Sequence, residues 1–210
     1  MTESRYDFLA MTVAGSVRTK VSKAKPGTLL AVDEFDGPRG PVETALSRLN
    51  DHGDLLRVRK GLYFKGVRSR FGSGRPRVED VVYKVCGTKG VGPTRWTASR
   101  TLGLSTQLPA RHEFAVVGTP PTNFPDVRFH SRKNLARIDL NPLEIAVLET
   151  LRAWPTYSEA SWEDVVKRVG ELWDEEAIRP ARLSKVAARE PSPRLRERMS
   201  ALLSDLNEPK

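Results

Sequence analysis

The stretch PVETALSRLNDHGDLLRVRKGLYFK, residues 41–65, decides the fold of the first third of the chain. Val42, Ala45, Leu46 and Leu49 stand at i, i+3, i+4 and i+7, the apolar stripe of an amphipathic helix. Pro41 suits a first helical turn and Gly53 a C-terminal stop. Beyond the stop, Leu56 and Val58 alternate with Arg57 and Arg59, Lys60-Gly61 makes a tight turn, and Leu62-Tyr63-Phe64 returns. This is the pattern of a two-stranded hairpin with a basic tip.

Working outward, VAGSVRTKVSKA (13–24) spaces Val13, Val17 and Val21 by four and predicts a first helix, ended by Lys25-Pro26-Gly27. TLLAVDEF (28–35) gives a short apolar stretch and a short second helix near Val32 to Phe35, and DGPRGP (36–41) is a turn. Helix, short helix, amphipathic helix and basic hairpin, in that order, are the parts of a winged helix-turn-helix, expected over residues 1–70. The expected fold class is α+β, with this module followed by a mixed helical domain that holds a small β-sheet, residues 75–210.

If the stripe of the third helix docks inward, its opposite face carries Arg39, Glu43, Thr44, Ser47 and Arg48. A helix fits the major groove of DNA, and residues near its N-terminus reach base edges. Arg39, Thr44 and Ser47 are therefore candidates for base-edge or nearby phosphate contacts, and Arg48 for a phosphate. Arg57, Arg59 and Lys60 on the hairpin are placed to clamp phosphates or enter the minor groove, and Lys20 and Lys23 on the first helix to add backbone contacts. The blander alternative is that the module binds protein and its basic tip is solvated. A net charge of +9 over 210 residues agrees with a polyanionic partner, although charge alone is weak evidence.

The string ETALSRLNDHGDLLRVRKGLYFK resembles the N-terminal module of the AbiEi-type antitoxins of bacterial type IV toxin–antitoxin systems. TASRTLGLSTQLPA (97–110) is similar to the segment that follows in that family, and the later strand pair and NPLEIAVLETLR (141–152) fit the same layout. The likeness extends from about Ser16 to Leu151 and is weaker in the last third. It implies a transcriptional repressor that binds inverted or direct repeats of double-stranded DNA in its own promoter, with two copies, a dimer, per site. It also implies a C-terminal domain that neutralises a nucleotidyltransferase-like toxin encoded next door, in phage defence.

The second domain follows KGVRSRFGSGRPR (65–77), which reads as a flexible connection or a strip lying along DNA. Val78, Val81, Val82 and Val85 predict an inward helical face beside Cys86, expected as a buried thiol. A helix starts near Pro93 with Thr94 as cap. HEFAVVGTP (112–120) reads as a strand, and DVRFHSRK (126–133), where Val127 and Phe129 alternate with Arg128 and His130, as a partly exposed one. NPLEIAVLETLRAW predicts a helix with Leu143, Ala146, Val147, Thr150 and Leu151 on one face, and Ser161 with Asp164 opens another. Ile178 to Leu206 reads as two helices broken around Pro191 and Pro193. Arg179, Arg182, Lys185 and Arg189 share a helical face, read as a solvated surface that Glu171, Asp174, Glu175 and Glu176 neutralise, or else as a second nucleic-acid or toxin surface.

Function classes are narrowed by what the sequence lacks. A single cysteine forms no internal disulfide, and no signal peptide or run of about 20 apolar residues is present, so a cytoplasmic protein with no membrane association is expected. His52, His112 and His130 lack metal-ligand spacing, FGSGRPR and GTKGVG lack the phosphate-loop pattern, Glu113 has apolar neighbours and no lysine, Glu79 and Asp80 point in different directions on a helix, and Asp33, Glu34 and Asp36 lie in the helix-turn-helix. No metal, cofactor or catalytic group is therefore expected. The alternatives to an antitoxin are a DNA-processing enzyme such as a nuclease, or a plain transcriptional regulator, each carrying the same targeting head.

Overall fold

The computed structural model describes residues 3–69 and 72–207, with side chains for 13–67 and 74–207. Residues 1–2 of the N-terminal segment and 70–71 of the connection lie outside the described residues. The chain is α+β and divides into two compact units, residues 1–81 and 82–210.

The first unit runs α1 (Glu3–Lys23), β1 (Thr28–Ala31), a 3-10 turn (Val32–Glu34), α2 (Arg39–Asp51), β2 (Leu56–Arg59) and β3 (Leu62–Lys65). The three strands form one antiparallel sheet in the order β1-β3-β2. Val17 and Val21 of α1 meet Val42, Ala45, Leu46 and Leu49 of α2, with Leu30, Val32, Phe35, Leu55 and Tyr63 closing the core. The valine spacing of α1 and the stripe of α2 are thus the two faces that bury each other. β1 falls where the sequence offers only a short apolar stretch. Its register, Leu29 opposite Phe64 and Leu30 opposite Tyr63, is a long-range pairing with no local signal.

Lys65 ties the unit together: its Nζ donates to the carbonyls of Val21 (2.8 Å), Ser22 (3.0 Å) and Ala24 (2.7 Å). These are the last acceptors of α1, where a cation meets both orphan carbonyls and the negative end of the helix dipole.

In the connection, Arg68–Ser69 (β4) pairs with Gly72–Ser73 (β5), so it holds a short antiparallel ladder rather than plain coil. α3 (Val78–Cys86) follows, and the division between units falls inside it. Val81 and Val82 are buried, but Val85 is exposed and Cys86 half-buried, which corrects the expectation of a fully inward valine face and a buried thiol. Nine residues give the helix two and a half turns, and its last turn has emerged from the core.

The second unit holds β6 (Val91–Pro93), α4 (Arg95–Thr101), β7 (His112–Val117), β8 (Val127–Arg132), a 3-10 stretch (Leu135–Asp139), α5 (Pro142–Ala153), α6 (Trp162–Asp174), α7 (Pro180–Ala187) and α8 (Pro193–Asn207). The sheet order is β6-β7-β8, with β6-β7 antiparallel and β7-β8 parallel. α5 is enclosed on all sides: Glu144 to Leu151 are all buried, so the single face read from its sequence is too narrow. Its capping box joins Asn141 and Glu144, and that of α6 joins Ser161 and Asp164.

α5 lies against β6 at Gly92, where a Cβ would stand 2.6 Å from Ile145 Cβ and 2.7 Å from the Pro142 carbonyl. The obstacle includes backbone, which no rotamer change removes. Gly92→Ala is expected to lower stability by about 1–3 kcal/mol through overpacking, measured as an earlier urea midpoint. An unchanged midpoint would show that α5 slides freely on the sheet.

Candidate nucleic-acid interface

α2 and the β2–β3 hairpin enclose a shallow, solvent-open groove of about 260 Å³ in the first unit. Glu43, Thr44 and Ser47 line it from the helix, and Arg57, Lys60 and Tyr63 from the strands and turn. Five of the ten residues singled out in the sequence are therefore brought to one cleft. Gly61 makes this possible: with φ +75 it turns the chain at Lys60 in a conformation that side-chain-bearing residues adopt at a cost.

The remaining five differ in their freedom. Arg48 and Lys23 are exposed, and their side chains make no hydrogen bond or ion pair among the described residues. Arg39 stands at the first turn of α2, where a cation opposes the helix dipole. It is held there by two carboxylates, with Nη1 3.0 Å from Asp33 Oδ1 and Nε 2.8 Å from Glu43 Oε1. Lys20 donates to the Glu34 carbonyl and lies 4.9 Å above the Phe35 ring, so it serves the turn before α2. Arg59 is half-buried, because the β2–β3 register shifts between Arg57 and Arg59 and breaks the expected alternation. Thr44 Oγ1 donates back to the Gly40 carbonyl (3.0 Å), and the Asn50 side chain accepts from Arg57 N (2.8 Å), fixing the hairpin to the end of α2.

The bulge and the Arg39 clamp were not legible in advance. Each depends on groups six or fewer residues apart whose partners compete locally. Pro38 caps α2 without a side-chain hydrogen bond, leaving the helix entrance open.

The second unit contains a buried ion network that no sequence pattern pointed to. Arg137 and Glu149 are fully enclosed and 2.6 Å apart, and Arg137 Nε is 2.6 Å from Glu190. Arg132 meets Glu149 at 2.5 Å, and Arg152 reaches Glu190. Burial by itself would raise the Glu149 carboxyl; hydrogen bonds from Arg132, the charges of Arg137 and Arg132, and the Thr94 hydroxyl outweigh it and hold it down to about 2. Thr94 occupies the cap position of α4 as expected, but its hydroxyl goes to Glu149 (2.6 Å) rather than to the helix. The α7 arginines also find different acids from those expected. Arg179 pairs with Glu144 at 2.7 Å and Arg182 with Asp139 at 2.7 Å. The LGLSTQ segment is held in place by Glu159, which accepts from Ser105 Oγ, Thr106 N and Gln107 Nε2 at 2.7, 2.8 and 2.9 Å.

Among the described residues no group of three or more His, Cys, Asp or Glu side chains is placed to hold a metal ion. No described helix is long and apolar enough to cross a membrane.

Comparison with known proteins finds a family model and a solved structure to which the chain is similar. The model of a family of unknown function, DUF6088, covers residues 16–122, from α1 to just past β7. The RV2827C protein from Mycobacterium tuberculosis, a crystal structure, is similar over 94% of this chain and 78% of its own, at 13% sequence identity and a TM-score of 0.48. No curated protein matches the chain.

Proposed function

We propose that this chain, which belongs to the DUF6088 family of unknown function, is a DNA-binding repressor of its own operon whose first unit is a winged helix-turn-helix. α2 is the recognition helix and the β2–β3 hairpin the wing. The observation that carries this reading is the groove that joins Thr44 and Ser47 of α2 to Arg57 and Lys60 of the hairpin. One bound duplex would meet polar base-reading groups from the helix and cations from the strands together. The action proposed is binding, without catalysis. By its resemblance to AbiEi-type antitoxins, the second unit is proposed to oppose a nucleotidyltransferase-like toxin.

A gel shift of the purified protein on its own upstream DNA, against unrelated DNA at matched salt, tests the repressor role. Preference for the upstream fragment is the expected result. Equal, weak binding of both would leave only basic charge behind the proposal. Co-expression with the adjacent gene tests the antitoxin role, and relief of that gene's toxicity is expected.

The Arg39 clamp adds a signed prediction. Exposed ion pairs are worth about 0–1 kcal/mol, so phosphate competes with them readily. Asp33→Asn is expected to release Arg39 toward the duplex, tighten binding severalfold and steepen the salt dependence by about 0.9 in log–log slope, one extra phosphate neutralised. A slope unchanged from the parent would show that Arg39 stays with Glu43 and away from DNA.

A further inference from the structure

The second unit carries a separate open pocket of about 530 Å³, lined by Trp96, Pro109, Ala110, Arg111, Glu113 and Arg128 among others. Its charges follow from strand alternation. Arg128, His130 and Arg132 project to one face of β8, and Glu113 and Ala115 stand beside them on β7. Two of the three bases on this stripe have their acids. Arg132 is paired with Glu149 inside the core, and His130 Nε2 lies 2.5 Å from Glu113 Oε2. The same oxygen accepts from Arg95 Nη1 at 3.1 Å, so the Glu113 charge is met by that guanidinium. Arg128, the outermost of the stripe, and Arg111 are exposed and make no hydrogen bond or ion pair among the described residues. The pocket therefore presents two uncommitted guanidinium groups against a carboxylate whose charge is spent.

One aromatic side chain, Trp96, joins the lining. Trp96 is half-buried and packs edge-to-face on Tyr157, with ring centroids 5.8 Å apart, which fixes its plane. The residue before it, Arg95, holds a left-handed φ of 54. That is a conformation a non-glycine residue keeps only when its surroundings enforce it, and such positions cluster at ligand sites. Arg95 is enforced by Glu113 on one side and the Tyr157 ring, 5.3 Å away, on the other.

We propose that this pocket binds a nucleoside phosphate, its base against Trp96 and its phosphate between Arg111 and Arg128. Guanidinium pairs favour phosphate through planar, bidentate hydrogen bonds, and an indole face takes any base by stacking. The ligand is either a free mononucleotide or one residue of a single strand, since both present the same base and phosphate. The site is remote in sequence from the α2 groove and does not depend on duplex binding there.

The test is calorimetric titration of the full chain with AMP, with GMP and with a five-residue single-stranded RNA, each also in the Arg111→Ala/Arg128→Ala variant. Both arginines are exposed, so the variant is expected to keep the parent's circular dichroism and its binding to the upstream duplex. Trp96→Leu is the second variant. One saturable site that weakens at least tenfold in the double variant and also weakens in Trp96→Leu supports the proposal. Tighter binding of AMP or GMP would make the ligand a free nucleotide, and tighter binding of the RNA would make it a strand. No saturable binding by any of the three probes, or binding unchanged in the double variant, overturns it. Loss of duplex binding in an Arg57→Ala/Lys60→Ala variant that still takes the nucleotide would separate this site from the proposed repressor function.

Discussion

Glu149→Gln is expected to destabilise the second unit by about 3–5 kcal/mol, the cost of breaking a buried ion pair from one side. The carboxylate is fully enclosed and faces Arg132, Arg137 and Arg152, while Glu190 supplies the other anion of the cluster among the described residues. Removing its charge leaves three guanidinium groups around one carboxylate, with Arg137 wholly out of water. The amide also cannot accept at both former oxygens, so a hydrogen bond from Arg132, Arg137 or Thr94 is lost with it. Denaturant unfolding of the variant measures the loss. A double variant, Glu149→Leu with Arg137→Met, is expected to recover part of it, because an apolar pair of similar size avoids the desolvation of both charges. The same group sets an acid limit. Its folded value of about 2 lies below its ordinary 4.5, so its contribution is complete above about pH 4.5 and disappears as the pH falls through about 2. A midpoint in Glu149→Gln equal to the parent's would show that the arginines are solvated by other means.

The network also explains why parts of the fold were readable and others not. Periodicity located α2, α5, α6 and the two C-terminal helices, because their apolar positions lie within one or two turns of each other. The capping residue Ser161 announced the start of α6 by the same local logic. Arg132, Arg137, Glu149 and Glu190 instead meet across 12 to 53 positions of chain, from β8, the 3-10 stretch, α5 and the loop before α8. On the helix of α5, Glu149 looks like one more polar residue beside an apolar stripe. Only the enclosure of that helix on every side gives it a different meaning. β1 escaped notice for a related reason, since four residues have too little pattern to declare a strand whose partner is more than thirty positions away.

The candidate interface divides in the same way. Residue choice on the outer face of α2 follows directly from the buried stripe, so Thr44, Ser47 and Arg48 were identifiable from spacing alone. The cleft formed with Arg57 and Lys60 is a consequence of the hairpin folding back beside the helix. The charge and position of Arg39 recommended it, yet Asp33 and Glu43 answer that charge within the protein, so its availability to DNA depends on competition between partners. The pocket of the second unit lay further out of reach. Glu113 has apolar sequence neighbours, whereas its partners Arg95 and His130 come from other elements.

Arg57→Ala/Lys60→Ala is expected to lower the affinity for every duplex alike and to flatten the salt dependence by about 1.8 in log–log slope, two phosphate neutralisations at about 0.9 each. The two side chains are exposed, flank the turn at Gly61 and take no part in the core, so the fold should survive their loss. Thr44→Ala and Ser47→Ala provide the contrast. If those hydroxyls read base edges from α2, each is expected to cost about 1–3 kcal/mol on the upstream sequence and little on unrelated DNA, with the salt slope unchanged. Thr44 offers an internal control, because its hydroxyl already donates to the Gly40 carbonyl and has only its lone pairs free for a donor on the base. Titrations of the four proteins on both fragments at three salt concentrations separate the two classes. Parallel losses on both fragments for all the substitutions would assign the whole groove to phosphate binding, and specificity would then have to come from DNA shape. Parent-like affinity after the Arg57 and Lys60 substitutions would remove the hairpin from the interface and with it the case for a wing.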